Sequence, residues 1–213
     1  AGGARVAPTT RVLTAATTSD AARMMRFLGR LSLLLPLFCL QACSGPRAYM
    51  PLDEGREWRY SVLDAYGPRM AHLKVGGRVR VGDQMGVLLT GEDGASRLAW
   101  AGNTLIASEF VGCAFNPPIP VLEAGADTAT WEWRGAVRRG GVVSSAHVRA
   151  SQQPSVTEDL GRELPSLRVT LSLSVDGKSQ TVETHYVRGV GIQRQEVRRD
   201  GRQVLLVTLA TGR

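Results

Sequence analysis

From residue 57 onward the chain keeps returning to one pattern: apolar and polar residues alternate, and each run is closed by a short glycine turn. A period of two puts successive side chains on opposite faces, so the pattern predicts half-buried antiparallel strands. Residues 167–175 (LRVTLSLSV) are the clearest case, with Leu167, Val169, Leu171, Leu173 and Val175 on one face and Arg168, Thr170, Ser172 and Ser174 on the other. Asp176-Gly177 follows, a pair suited to the positive φ angles of a two-residue hairpin. That turn predicts a register with Leu171 opposite Val182, Leu167 opposite Tyr186, Thr170 opposite Glu183 and Arg168 opposite His185. Apolar then meets apolar and polar meets polar, as a true pair requires.

The same grammar recurs. Leu73, Val75, Val79 and Val81 share a face opposite His72, Lys74, Arg78 and Arg80, and Gly82-Asp83 turns the chain into residues 85–89. Further strands are predicted over 57–63, 97–100, 104–111, 130–137, 142–150, 192–198 and 203–209. No segment offers a long helix; 156–164, interrupted by Gly161, is expected to be a loop or a single turn. The fold class is therefore all-β: a curved antiparallel sheet or a partly closed barrel. Two stretches echo each other. Pro51-Leu52-Asp53-Glu54-Gly55 leads to Trp58 and Tyr60, and Pro120-Val121-Leu122-Glu123-Ala124-Gly125 leads to Trp131 and Trp133. Each half later brings an aromatic strand to glycine, at Trp100-Ala101-Gly102 and at Tyr186 to Gly191. This suggests two related β meanders, about 51–116 and 120–213, within one domain spanning 51–213. The proline-rich Asn116 to Pro120 would be a stiff joint between them, and Gly189 and Gly191 are expected at a bulge or a positive-φ turn.

Ahead of the strands, Arg26 and Arg30 flank an apolar run over 31–40 (LSLLLPLFCL), with small Ala42 just before Cys43. Ten residues containing Pro36 are too few to cross a bilayer as a helix, which takes about 20. They match the core of a signal peptide, expected over 24–42. Residues 1–23 carry no aromatic residue and no hydrophobic period; either an early start assignment or a disordered extension accounts for them. Leu40-Gln41-Ala42-Cys43 resembles the lipid-attachment box of bacterial lipoproteins. The resemblance implies cleavage before Cys43, a diacylglyceryl thioether on its thiol and a third acyl chain on its amino group. Membrane lipid would then be a partner through acylated Cys43, with 43–50 as a lipidated linker. Ser44 stands where Asp would signal retention in the inner membrane, so the outer membrane is expected if the source has two.

Charge and cysteine content narrow the partners. The chain has 26 basic and 19 acidic residues; without the five arginines and one aspartate of 1–42, there remain 21 and 18, a net of +3. An interspersed charge this small gives no reason to expect nucleic acid. The Arg194, Arg198, Arg199 and Arg202 cluster brackets Asp200-Gly201 and is expected at a solvated hairpin tip. Cys39 leaves with the leader and Cys43 takes lipid, so Cys113 remains alone in an apolar setting, as a buried thiol.

The motifs YMPLDEGREWRY (49–60), NPPIPVL (116–122) with TWEWRG (130–135), and HYVRGVGIQRQEV (185–197) resemble paired motifs of uncharacterised bacterial envelope lipoproteins. The resemblance implies an exported curved β-domain and no known reaction. The residues themselves agree on the last point. His72, His147 and His185 lack partners at metal spacing, Glu132 and Glu183 are isolated acids, and no nucleophile elbow, phosphate loop or dinucleotide fingerprint occurs, so neither an enzyme nor a cofactor is expected. Two functions fit best, a β-shell for an apolar ligand or a docking subunit of an envelope complex, with an unrecognised hydrolase as the third alternative. Trp58, Tyr60, Trp100, Trp131, Trp133 and Tyr186 would line the shell or fill its core.

Overall fold

The computed structural model describes residues 45–92 and 94–210. The predicted leader, Leu40, Gln41, Ala42 and the lipidation site Cys43 lie outside the described residues. Among those described, twelve strands follow one another: β1 (Glu57–Asp64), β2 (Gly67–Val81), β3 (Gln84–Gly91), β4 (Gly94–Ala101), β5 (Thr104–Phe110), β6 (Cys113–Glu123), β7 (Ala129–Arg139), β8 (Val142–Asp159), β9 (Arg162–Val175), β10 (Lys178–Val187), β11 (Gly191–Arg199) and β12 (Arg202–Leu209). Each pairs antiparallel with its neighbours in sequence, and β12 returns to β1, so the sheet closes completely as an up-and-down barrel. The hairpin register predicted for β9 and β10 is the one observed, with Leu171 opposite Val182 and Leu167 opposite Tyr186.

Two expectations are corrected. Residues 156–164 are not a loop but the tip of a long β8–β9 hairpin whose ladder runs out to Asp159 opposite Arg162. Asn116 to Pro120 is not a joint but the middle of β6. Sequence patterning missed β6 because Pro117, Pro118 and Pro120 interrupt its alternation and have no N–H to donate. The barrel tolerates them at a seam. The β6–β7 ladder has only three residue pairs, Ala114 to Asn116 against Ala136 to Arg138. Beyond it, indoles replace the ladder: Trp133 Nε1 donates to Pro117 O and Trp131 Nε1 to Pro120 O, each at 3.2 Å. Gly135 allows this approach, since a Cβ there would lie 2.5 Å from both Asn116 O and the Trp133 ring. The chain thus divides into two six-stranded runs at the 124–128 turn.

The two rims differ. One carries the turns at 82–83, 102–103, 124–128, 160–161 and 188–190, together with the entry of the chain. Here residues 45–56 lie across the rim, and Met50 reaches inward as its plug. Met50 is wholly buried, its carbonyl accepts Trp100 Nε1 at 3.2 Å, and Ala48 O accepts Gly189 N at 2.7 Å. Trp58 Nε1 donates to Val190 O at 2.7 Å and the Tyr60 hydroxyl to Ile192 O at 3.2 Å. Gly189 and Gly191 have φ of +78° and +106°, as their sequence position predicted, and a Cβ on Gly191 would stand 3.4 Å from the Trp58 ring. The opposite rim carries the turns at 65–66, 111–112, 140–141, 176–177 and 200–201 and the ends of β3 and β4 at Gly91 and Gly94.

Among these turns, Leu160 precedes Gly161 with a φ of +50° and its side chain is 81% exposed. An L-residue with a branched chain is strained there, whereas Asn is tolerated. Leu160→Asn is therefore expected to stabilise the barrel by about 1 kcal/mol, read as a higher urea midpoint with an unchanged slope.

Candidate ligand cavity

The inward faces of the strands do not meet at the rim opposite the plug. Two chambers remain. The first, about 340 Å³, lies between Tyr60, Val62, Leu89, Leu98, Phe110 and Val207, which are inward residues of β1, β3, β4, β5 and β12. The second, about 290 Å³, lies between Cys113, Val137, Leu173 and Val175, with Arg139, Lys178 and Gln180 toward its mouth. Phe110, Val111 and Cys113 form the partition, and Arg199 lines both chambers. Volumes of this size match the lower end of small-molecule pockets, about 300 Å³ upward. A third hollow, about 450 Å³, lies on the plugged side beside Arg56, Arg59 and Asp159 and has a more polar lining.

The local chemistry of the partition is unusual. Val111 turns β5 into β6 with a φ of +49°, a conformation that β-branched residues rarely adopt. The strain falls at the lip of the first chamber. Behind it, Cys113 is buried as the sequence suggested, and burial pushes its thiol above the usual range. Burial likewise raises the phenols of Tyr60 and Tyr186. Tyr60 is thus a neutral hydrogen-bond donor on the floor of the first chamber.

Of the aromatics singled out from the sequence, the structure brings only Tyr60 to a chamber wall. Trp58, Trp133 and Tyr186 are buried, while Trp100 and Trp131 pack partly buried against the core. All four indoles donate to backbone carbonyls, at Val190, Met50, Pro120 and Pro117. Two histidines sit on carboxylates outside the chambers: His147 lies 3.2 Å from Glu132 and His185 3.2 Å from Glu183. Glu132 and Glu183 do not meet as a pair. Among the described residues no three His, Cys, Asp or Glu side chains are grouped for a metal ion.

Sequence reasoning missed the cavity's polar residues. Arg199 is exposed beside the 200–201 turn, in keeping with the solvated tip expected from the sequence, but it also lines both chambers. Arg194 and Arg198 do lie outside, on Glu196 at 3.4 and 2.6 Å, and the Arg198 hydrogen bond holds the Glu196 carboxyl below its usual range. Arg199 instead follows Gln195 and Val197 on the alternate face and donates to Gln180 Oε1 at 3.2 Å. The signal was its phase with Val197. Gln152 was also missed. It is 1% exposed in the core of β8 and ties down the 123–126 turn: its Oε1 accepts Glu123 N at 3.0 Å, and its Nε2 donates to Glu123 O at 2.7 Å and to Ala126 O at 2.5 Å.

No family model matches this chain, and no curated protein does. Solved structures are similar to it. One is a predicted lipoprotein from Parabacteroides distasonis ATCC 8503, 11% identical, with a TM-score of 0.47 over 76% of this chain and 96% of that one. A predicted exported protein with a YmcC-like fold from Bacteroides fragilis NCTC 9343 is 11% identical, with a TM-score of 0.39 over 75% and 96%. The hypothetical lipoprotein YmcC from Escherichia coli K12 is 9% identical, with a TM-score of 0.41 over 84% and 94%. At such identities and scores no residue role and no activity transfers to this chain.

Gln152 gives the test of how the plugged rim is held. Gln152→Leu keeps the volume but leaves two carbonyls and one N–H without their partner, and should cost about 2–4 kcal/mol. Hydrogen exchange should show the loss concentrated at 123–126.

Proposed function

We propose that the protein is a lipid-anchored envelope lipoprotein whose barrel carries an apolar ligand in the chamber opposite its anchor. The observation that carries this reading is the 340 Å³ hollow, walled by inward apolar side chains, in a barrel whose other rim is plugged. Cys43 is two residues before the first described residue, Gly45, and so within about 7 Å of it along the chain. An acylated Cys43 would hold the plugged rim toward the membrane and turn the chambers away from it. Three acyl chains would anchor it stably, as a single chain does not. With Ser44 after the acylated residue, the outer membrane is the expected location in a cell with two membranes.

Two experiments test the two parts separately. Cys43→Ala should abolish incorporation of labelled fatty acid and release the protein from the membrane fraction; undiminished labelling would overturn the anchor. For the cavity, Ser96 lines the first chamber near its mouth. Ser96→Trp should fill that space and weaken binding of a neutral apolar fluorophore by about tenfold, or 1.4 kcal/mol, with little change in melting temperature. Equal binding by parent and variant would count against the chamber as the site.

A docking role has its own support at the open rim. Tyr66 is 97% exposed, and Val142 and Val143 are 67% and 64% exposed. Apolar side chains of this kind on the open rim fit a partner that receives or delivers the ligand. A stoichiometric envelope protein retained by the parent and lost on Tyr66→Ser with Val142→Ser would favour that role.

A further inference from the structure

The mouth of the cavity carries positive charge on the inward face. On β7, Arg139 continues the face of Trp133 and Val137; on β11, Arg199 continues that of Gln195 and Val197. Both line the second chamber, and Arg199 also walls the first. Among the described residues no carboxylate lies within ion-pair distance of either guanidinium, and the one hydrogen bond of Arg199 goes to the neutral amide of Gln180. The nearby acids are engaged elsewhere. Asp176 accepts from the Ser144 hydroxyl at 2.6 Å, Asp200 from Ser179 N at 3.1 Å, Asp64, in phase with Val62, pairs with Arg69 at 3.2 Å, and Glu92, which lines the first chamber, accepts from His72 N at 2.6 Å. Partial burial lowers the pKa of the Arg199 guanidinium from its ordinary value, and the nearby charge of Arg139 acts in the same direction. Two like charges are thus held near each other at the entrance of an apolar space, without a counter-ion.

A neutral ligand gives that arrangement no favourable partner. An anionic group does, because planar guanidinium forks match carboxylate and phosphate oxygens, and charge-assisted hydrogen bonds are about twice as strong as neutral ones. We propose that Arg139 and Arg199 are the head-group site for a single-chain amphiphile with an anionic head, its tail lying in the apolar chamber beneath Phe110 and Val111. Lys178, which lines the second chamber, adds a third positive charge. This inference rests on the cavity reading above and narrows it to a ligand class.

The test uses three probes that share one tail, dodecanoate, dodecyl phosphate and dodecanol, each displacing a neutral apolar fluorophore from the purified protein. The two anions should bind at least about tenfold tighter than the alcohol, in keeping with one or two charge-assisted hydrogen bonds. Arg139→Gln with Arg199→Gln should remove that advantage and leave the affinity for dodecanol unchanged. The tighter of the two anions identifies the source, a free fatty acid for the carboxylate or a lysophospholipid-like head for the phosphate. If dodecanol binds the parent as tightly as the anions, the head-group site is overturned while the cavity stands. If none of the three displaces the fluorophore, both fall. The comparison of probes on the parent decides the matter even where the double variant does not fold.

Discussion

A closed barrel of twelve antiparallel strands encloses more space than its own side chains can fill, and that excess governs the rest of this structure. Eight strands leave an interior that side chains just occupy, and the diameter grows with strand number. The inward residues here are mostly Val, Leu and Ala, which cannot close the gap from both walls. At one rim the shortfall is met by a segment outside the sheet, where residues 45–56 bring Met50 into the core. At the other rim none of the described residues outside the sheet is inserted, and the chambers are what remains. Plug and cavity are two answers to one geometric surplus.

Closure also means that every strand needs two neighbours to satisfy its backbone groups. Strand β6 cannot fully meet that demand, because three of its residues are prolines. The indoles of Trp131 and Trp133 and the amide of Gln152 take over carbonyls that a regular β6–β7 ladder would have used. Trp58, Tyr60 and Trp100 do the equivalent work at the plug. The aromatic residues of this protein therefore serve mainly as hydrogen-bonding clamps with a large apolar body. That is why most of them stand away from the chambers. It also leaves the apolar part of the chamber walls mostly aliphatic, Tyr60 and Phe110 aside, with polar groups near the mouth that can orient what enters.

The alternation of apolar and polar residues and the glycine turns determined the strands, the hairpin register of β9 with β10, and an all-β sheet curved on itself, because a period of two and a two-residue turn are local properties. Gly189 and Gly191 were legible for the same reason, since a positive φ is a local demand. The signal-peptide pattern around Cys43 is likewise local, and it remains a property read from the sequence. Strand β6 was not legible: its prolines read locally as a joint, and only the side chains of Trp131 and Trp133, arriving from the next strand, make it a wall of the barrel. Full closure was not legible either, because it depends on β12 meeting β1 across the whole length of the domain. The same holds for the cavity. Arg139 and Arg199 are separated by 60 positions in the chain and each reads alone as a solvated charge; they come to one mouth only because barrel closure carries β7 and β11 around the same interior. Which rim is plugged and which stays open was decided by the tertiary structure alone, by where the entering chain could bury Met50.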